Sequence, residues 1–373
     1  MAARGYAASA MRSPRTLIHL IARQETPLCA GPSLTELRRS FVTPTDAFYV
    51  QSHGSVPVVD TATYRLKVDG LVKRTLELSL DDLKRDFRKA TVMATLQCAG
   101  NRREELARIA PISGEALSGG EAIGNAVWGG VPLREVLAAA GLRGNVQHIA
   151  FTGLDQVEQE GRRVSFGGSI PMIKALGSEV LLAYEMNGEQ LPPLHGFPLQ
   201  LVVPGYIGAR SIKWLAHIAV QDQPSDNFFQ TKAFKLFPPE VSAQTAPWES
   251  EPGLEGVLTN SVICSPEEGE QVRAGEVTVR GYALVRPGHA LSLVEVSPDG
   301  GDTWVMATVT PERDEWTWRF WEATLVLEPR LHELAVRAWD SASTQPPHPR
   351  IVWNFKGYMN NAWHRVRVEV AAP

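Results

Sequence analysis

Thr95-Leu96-Gln97-Cys98-Ala99-Gly100-Asn101-Arg102-Arg103 closes an apolar run that begins at Val92. Val92 to Leu96 reads as a strand, so Cys98 falls at the strand end, ahead of a glycine that frees the backbone and of two adjacent guanidinium groups. A thiol beside fixed positive charge is expected to ionise more readily than usual and to serve as a soft metal ligand or a nucleophile. A lone cysteine is more often a small buried hydrophobe. The paired arginines argue against that reading here.

Outward from this run, residues 41–237 mix further strand-like segments (Tyr64 to Val68, Gln200 to Val203, Ile212 to Leu215) with short helices. Ser79-Leu80-Asp81-Asp82 is a capping-box pattern that opens a helix to about Phe87, and Pro132 with Gly141 brackets a second one ending at Ala140. The irregular order of strands and helices predicts an α+β domain and disfavours a doubly wound parallel sheet. Pro238-Pro239, Pro247 and Pro252 mark residues 238–256 as a linker. Beyond it, over 257–373, helical periodicity gives way to short strands: Glu276 to Tyr282, Leu291 to Val296, Thr303 to Val309, Ala323 to Leu327, Glu333 to Trp339 and Arg365 to Val370. With a hairpin signal at Asp299-Gly300-Gly301, this predicts an all-β immunoglobulin-like sandwich, without the Cys–Trp–Cys pattern of antibody domains. Residues 1–40 are a weakly patterned N-terminal extension.

The chain has 373 residues, enough for two or three domains with substantial cores. Its net charge, 37 minus 41 or −4, and the lack of a basic stretch exclude a nucleic-acid partner, and no apolar run of about 18 residues suggests a membrane span. Three scattered cysteines, Cys29, Cys98 and Cys264, are too few for a disulfide framework or a Cys-rich zinc site. Cys29 and Cys264 lack the surroundings of Cys98 and are assigned to structure. Thr16 to Ala22 is short for a signal-peptide core, and Leu37-Arg38-Arg39-Ser40-Phe41 is followed by polar residues where an export signal needs apolar ones. A cytoplasmic protein is the expectation, with periplasmic export left open.

The Cys-Ala-Gly-Asn-Arg-Arg run resembles the signature of the sulfite oxidase family of molybdenum enzymes. The likeness extends from Thr43 to Val370 through Thr43-Pro44-Thr45-Asp46, Phe48-Tyr49-Val50, His53-Gly54, Gly168-Ser169-Ile170-Pro171, Leu182 to Gly188, His195-Gly196-Phe197-Pro198, Val202 to Trp214 and Trp353 to Val366. Several long matches in the right order are far more specific than one short motif. The resemblance implies that residues 41–237 bind one molybdopterin per chain and that Cys98 gives its thiolate to molybdenum. Polarisable sulfur donors suit such a redox metal. Positions matching the family's cofactor contacts are His53, Asp155, Ser169, His195, Arg210, Ser211 and Lys213, with Gln200 where the family has an arginine.

On the substrate side Arg103 matches a family arginine, whereas Gln51 and His289 stand where two others are expected. Phe234 stands where the family has a tyrosine, and the family's tryptophan between Pro111 and Gly124 is missing. Losing fixed charge of this kind costs about 1.5–3 kcal/mol per contact. The expected reaction is oxidation of sulfite, a small oxyanion, to sulfate, with two electrons passed to a separate acceptor, a cytochrome or oxygen, since no haem-binding segment is visible. Two alternatives stay open: the same cofactor acting on nitrate, an S- or N-oxide or another small molecule, and a non-catalytic cofactor-binding homologue. The second domain, with its many tryptophans, is expected to form a homodimer. Trp353 to His364 has more polar donors than a strand needs, and a structural corner accounts for it as well as a site does.

Overall fold

The computed structural model describes residues 20–159, 161–311 and 314–372. The stretch from Thr16 weighed as a signal core lies mostly outside them. The Cys98 run ends an eight-residue strand, Ala90–Gln97, that pairs antiparallel with Ile123–Pro132 from Ala90 opposite Gly130 to Gln97 opposite Ile123. Leu181–Met186 continues this five-stranded sheet and also takes Gln200–Val202 along its length. Gly130 is required there, because a β-carbon would meet the Leu182 carbonyl at 2.1 Å.

The second five-stranded sheet runs Leu76–Leu78, Leu66–Gly70, Leu215–Gln221, His148–Gln159, Arg162–Pro171. Only Leu66–Gly70 and Leu215–Gln221 pair in parallel within it. Alternation sets its faces: Leu66 and Val68 are fully buried and Lys67 between them is exposed. Both expected helices form. In Leu80–Asp86 Ser79 and Asp82 complete the reciprocal capping box, and Leu133–Ala140 ends at Gly141 with φ +72°. The strand expected at Ile212 to Leu215 instead begins at Leu215, because Ile212 to Trp214 form the turn that feeds it.

Residues 260–371 fold as two facing antiparallel-dominated sheets. One is Asn260–Ser265, Gly275–Leu284, Arg319–Leu327 and Thr308–Val309; the other is Gln271–Arg273, His364–Ala371, Leu331–Asp340, Leu291–Ser297 and Val305–Met306. Ile263, Val279, Trp321, Val336 and Val368 fill the space between them. The single strand expected over Thr303 to Val309 divides in two, since Val305–Met306 pairs with one sheet and Thr308–Val309 crosses to the other.

The N-terminal segment is built into both parts. Ile21–Gln24 pairs with Cys29–Gly31, which pairs in turn with Val50–Gln51, and the helix Leu34–Arg39 buries Leu37 while Arg38 donates to the Gly281 carbonyl at 3.1 Å. The proline-rich crossing is packed as well: Lys235 donates to the carbonyls of Trp248 and Glu251, and Trp248 and Phe355 flank Phe237. One buried cluster therefore joins Leu201 and Ile207 to Val262, Tyr282, Trp318 and Tyr358. Among the described residues no helix is long and apolar enough to cross a membrane.

Candidate functional site

Cys98 leaves the strand end with its amide donating to the Ala122 carbonyl at 2.9 Å, while the Gly100 N–H donates to its sulfur at 3.3 Å. Arg102 then adopts a left-handed conformation, φ +65°, which is uncommon for a residue with a β-carbon. That reversal sends the two arginines to different places. Arg102 enters the junction with the second domain, and Arg103 turns back beside Cys98, close enough that a β-carbon on Gly100 would lie 2.4 Å from its guanidinium. Burial raises the Cys98 pKa, against the pull of Arg103 and the Gly100 amide, and the Glu115 charge raises it further. The expectation of an acidified thiol is thus corrected: in the protein alone desolvation outweighs the arginine.

A cavity opens at Cys98. It brings together Gln51, His53, Cys98, Asp155, His195, Gln200, Ser211, Lys213 and Phe234, nine of the expected site residues, from six separate stretches of chain. Its polar groups are poorly satisfied for their depth. Asp155 Oδ1 and Gln200 Oε1 have no partner, and nor does Gln97 Oε1. Burial lifts the Asp155 pKa to about 6 and lowers those of His53 and His195 to about 4 and about 3, so both imidazoles are neutral. Lys213 donates to the carbonyls of Gln51 and Leu194 at 3.0 and 3.1 Å, and burial brings its pKa down to about 8. Arg210 is buried, 1% exposed. Its Nε donates to the Leu254 carbonyl at 2.9 Å, both terminal nitrogens lack partners, and Gly168 and Gly253 keep the adjoining space free of side chains.

Two expected residues stand elsewhere. His289 is not beside Cys98: Pro287-Gly288 turns it outward, its Nδ1 lies 3.1 Å from the Ser341 hydroxyl, and it lines a separate cleft with Arg286, Trp316 and Arg319. The Ser169 side chain is engaged internally, its hydroxyl accepting from the Ser225 amide at 2.9 Å. Cys29, assigned to structure, is buried at 2% exposure in a short paired strand. Gln51 donates to its sulfur at 3.1 Å, and both border the cleft that leads to the cavity. Cys264 is sealed in the core, as expected.

Three residues that the sequence did not single out gather around Arg103. Lys356 lies over the Tyr358 ring at 5.9 Å, within the electrostatic reach of Arg103 and Glu115. Tyr358 stacks on Phe234, centroids 5.4 Å apart, and donates to Glu115 at 3.1 Å. The surplus of polar donors over Trp353 to His364 was the available signal for Lys356 and Tyr358. Nothing in the Gly-rich stretch around Glu115 announced it.

A thiol at a cavity mouth, unpaired donors and acceptors at several points, and a deep arginine with two free nitrogens suit a large polar cofactor bearing an anion. No group of three or more His, Cys, Asp or Glu among the described residues is placed to hold a bare metal ion; a metal here relies on ligands the cofactor brings. The residues fit a molybdopterin whose metal takes one protein sulfur, with Arg210 as the best-placed counter-charge for its phosphate.

The comparisons agree with this geometry. The family model "Oxidoreductase molybdopterin binding domain" matches residues 53–229, and "Mo-co oxidoreductase dimerisation domain" matches residues 254–371. The protein is a molybdopterin-dependent oxidoreductase. Sulfite oxidase of Gallus gallus is 41% identical over 91% of this chain and 76% of its own length, and that of Arabidopsis thaliana 38% identical over 91% of both. A nitrate reductase of Hordeum vulgare is 36% identical over 93% of this chain but 41% of its own. The crystal structure of sulfane dehydrogenase SoxCD from Paracoccus pantotrophus superposes with a TM-score of 0.80 over 98% of this chain and 93% of that one, at 24% identity, a likeness of fold. The chain belongs to the sulfite oxidase family.

Proposed function

We propose that the protein oxidises sulfite to sulfate, SO₃²⁻ + H₂O → SO₄²⁻ + 2H⁺ + 2e⁻, and passes the electrons to an external acceptor, a cytochrome or oxygen. The observation that carries this reading is the pairing, at one thiol, of a cavity with unpaired polar groups and a short cationic wall. Cys98 holds the molybdenum of the bound cofactor, which supplies the oxygen-atom transfer and the two-electron redox chemistry. Asp155, Gln200, Arg210, Ser211, His53, His195 and Lys213 hold the pterin.

Arg103 and Lys356 draw the oxyanion in and orient it. Arg103 is suited to this, because its Nε and Nη1 are fixed by the carbonyls of Gly357 and Ala116 at 3.2 and 2.8 Å, so its position costs no reorganisation when charge develops. Phe166, Phe229 and Phe234 close around His53 and exclude water from that side. The C-terminal two-sheet unit acts as an immunoglobulin-like dimerisation module joining two copies.

The test is anaerobic mixing of molybdenum-loaded protein with sulfite, nitrate or an S-oxide, followed by the molybdenum(V) resonance signal and by reduction of a one-electron acceptor. Sulfite is expected to turn over fastest, and Cys98→Ser to abolish it with the protein still folded. Faster turnover of nitrate or an S-oxide, or full activity in Cys98→Ser, overturns the reading.

A further inference from the structure

The wall that holds Arg103 also holds a carboxylate, which a site for a highly charged anion does not call for. Glu115 Oε2 lies 3.5 Å from Arg103 Nη1, with side chains 20% and 2% exposed. Its other oxygen accepts from the Tyr358 hydroxyl, so Tyr358 fixes Glu115 instead of offering a free donor to the pocket. Arg103 in turn lies over the Tyr358 ring at 5.0 Å, and Phe234 stacks on the same ring with centroids 5.4 Å apart.

The groups facing Glu115 are Arg103, Lys356, Tyr358, His53 and Cys98, and its charge acts on the last three and on Lys356. Outside it, the entry cleft runs between Gln51-Ser52-His53 and Gly114-Glu115-Ala116. Its described lining carries Glu25, Glu115 and Glu158 and no lysine or arginine. Glu158 is neutralised by Arg163 at 2.7 Å.

On the reading that the substrate is an oxyanion, we infer that Glu115 sets the charge preference of the pocket: by offsetting one of the two cations, Arg103 and Lys356, it favours a singly charged anion over a doubly charged one. Two cations facing one carboxylate leave a single positive charge, which a monoanion neutralises and a dianion overshoots. An excess charge in a poorly solvated pocket is costly. Sulfite is thus taken in its singly protonated form, the proton able to face a Glu115 oxygen. The loss of the family's arginine at Gln51 works in the same direction.

The experiment uses the holoprotein and two probes of the same tetrahedral shape that do not titrate near neutrality, sulfate with two charges and perchlorate with one. Each is measured by titration calorimetry and as an inhibitor of sulfite turnover. Because Coulomb energy scales with ligand charge, Glu115→Gln is expected to tighten perchlorate about threefold and sulfate about tenfold. Glu115→Asp keeps the parent's ratio. Should Glu115→Gln fail to accumulate, Lys356→Gln reverses the sign, weakening sulfate more than perchlorate. Equal shifts for both anions, or none, overturn the inference and leave sulfite oxidation standing. A parent that discriminates the two anions in the calorimeter yet never turns over sulfite overturns the functional reading alone.

Discussion

Arg102 and Arg210 are both buried to 1% exposure or less, and their surroundings are opposite. Arg102 is satisfied at every nitrogen. Its Nε and Nη2 meet the two oxygens of Glu105 at 2.7 and 2.6 Å, and its Nη1 donates to Asn260 and to the Ala362 carbonyl, both at 2.7 Å. Arg210 has one protein acceptor and two terminal nitrogens with none. A buried charge is stable only when paired. Arg102 finds its partners in the chain, so it serves the fold by clamping the catalytic part to the second domain. Arg210 has partners missing within the chain, which suits the ligand role proposed for it. The same contrast separates buried Glu105, whose pKa is lowered despite burial by Arg102, from Asp155, whose pKa burial raises to about 6.

The largest effect expected from this contrast is at the clamp. Arg102→Met leaves Glu105 buried without its partner, and breaking such a pair costs about 3–5 kcal/mol. Urea unfolding of the cofactor-free protein measures it, and a loss below about 1 kcal/mol breaks the comparison from the structural side.

Asp155 gives a smaller, pH-dependent effect in the cofactor-free protein. Its pKa is raised from 3.8 to about 6, so the stability tied to its protonated form is fully present below pH 3.8 and lost as pH rises through about 6. The loss amounts to roughly 3 kcal/mol at most. His53 and His195, lowered from 6.5 to about 4 and about 3, act in the opposite sense, their contribution present above pH 6.5 and lost on acidification. The difference between parent and Asp155→Asn isolates the carboxylate. That difference is expected to grow from pH 4 to pH 6, and a flat difference shows that the carboxylate already has a partner.

How far the sequence reached depends on whether the deciding interaction is local. The Ser79–Asp82 capping box is closed within four residues, and the helix it opens was legible. The strand ending at Cys98 and its two arginines were legible for the same reason, along with nine residues of the cavity. What could not be read were outcomes of long-range balance. Gly100 and Arg103 suggested an acidified thiol, but desolvation by distant elements decides the sign. His289 sits where a cation was wanted in the sequence, yet the turn carrying it leads to Ser341, and Lys356 arrives from another stretch. Glu115 matters only because Tyr358, 243 positions away, fixes it against Arg103.

The smallest effect on stability sharpens the comparison most. Arg210→Met removes two buried nitrogens that have no partner, at the loss of one hydrogen bond to the Leu254 carbonyl. The cofactor-free variant is therefore expected to stay within about 1 kcal/mol of the parent, where the same change at Arg102 costs several times more. The cofactor-bound protein behaves differently. A ligand that binds only the folded state adds about 4 kcal/mol at a thousandfold excess over its Kd, and losing a charge-assisted contact worth about 1.5–3 kcal/mol removes much of that gain. Thermal unfolding with and without cofactor, beside molybdenum content, reads both halves. If Arg210→Met instead weakens the cofactor-free protein as much as Arg102→Met does, its free nitrogens have found partners within the chain, and the assignment of Arg210 to an anionic ligand fails.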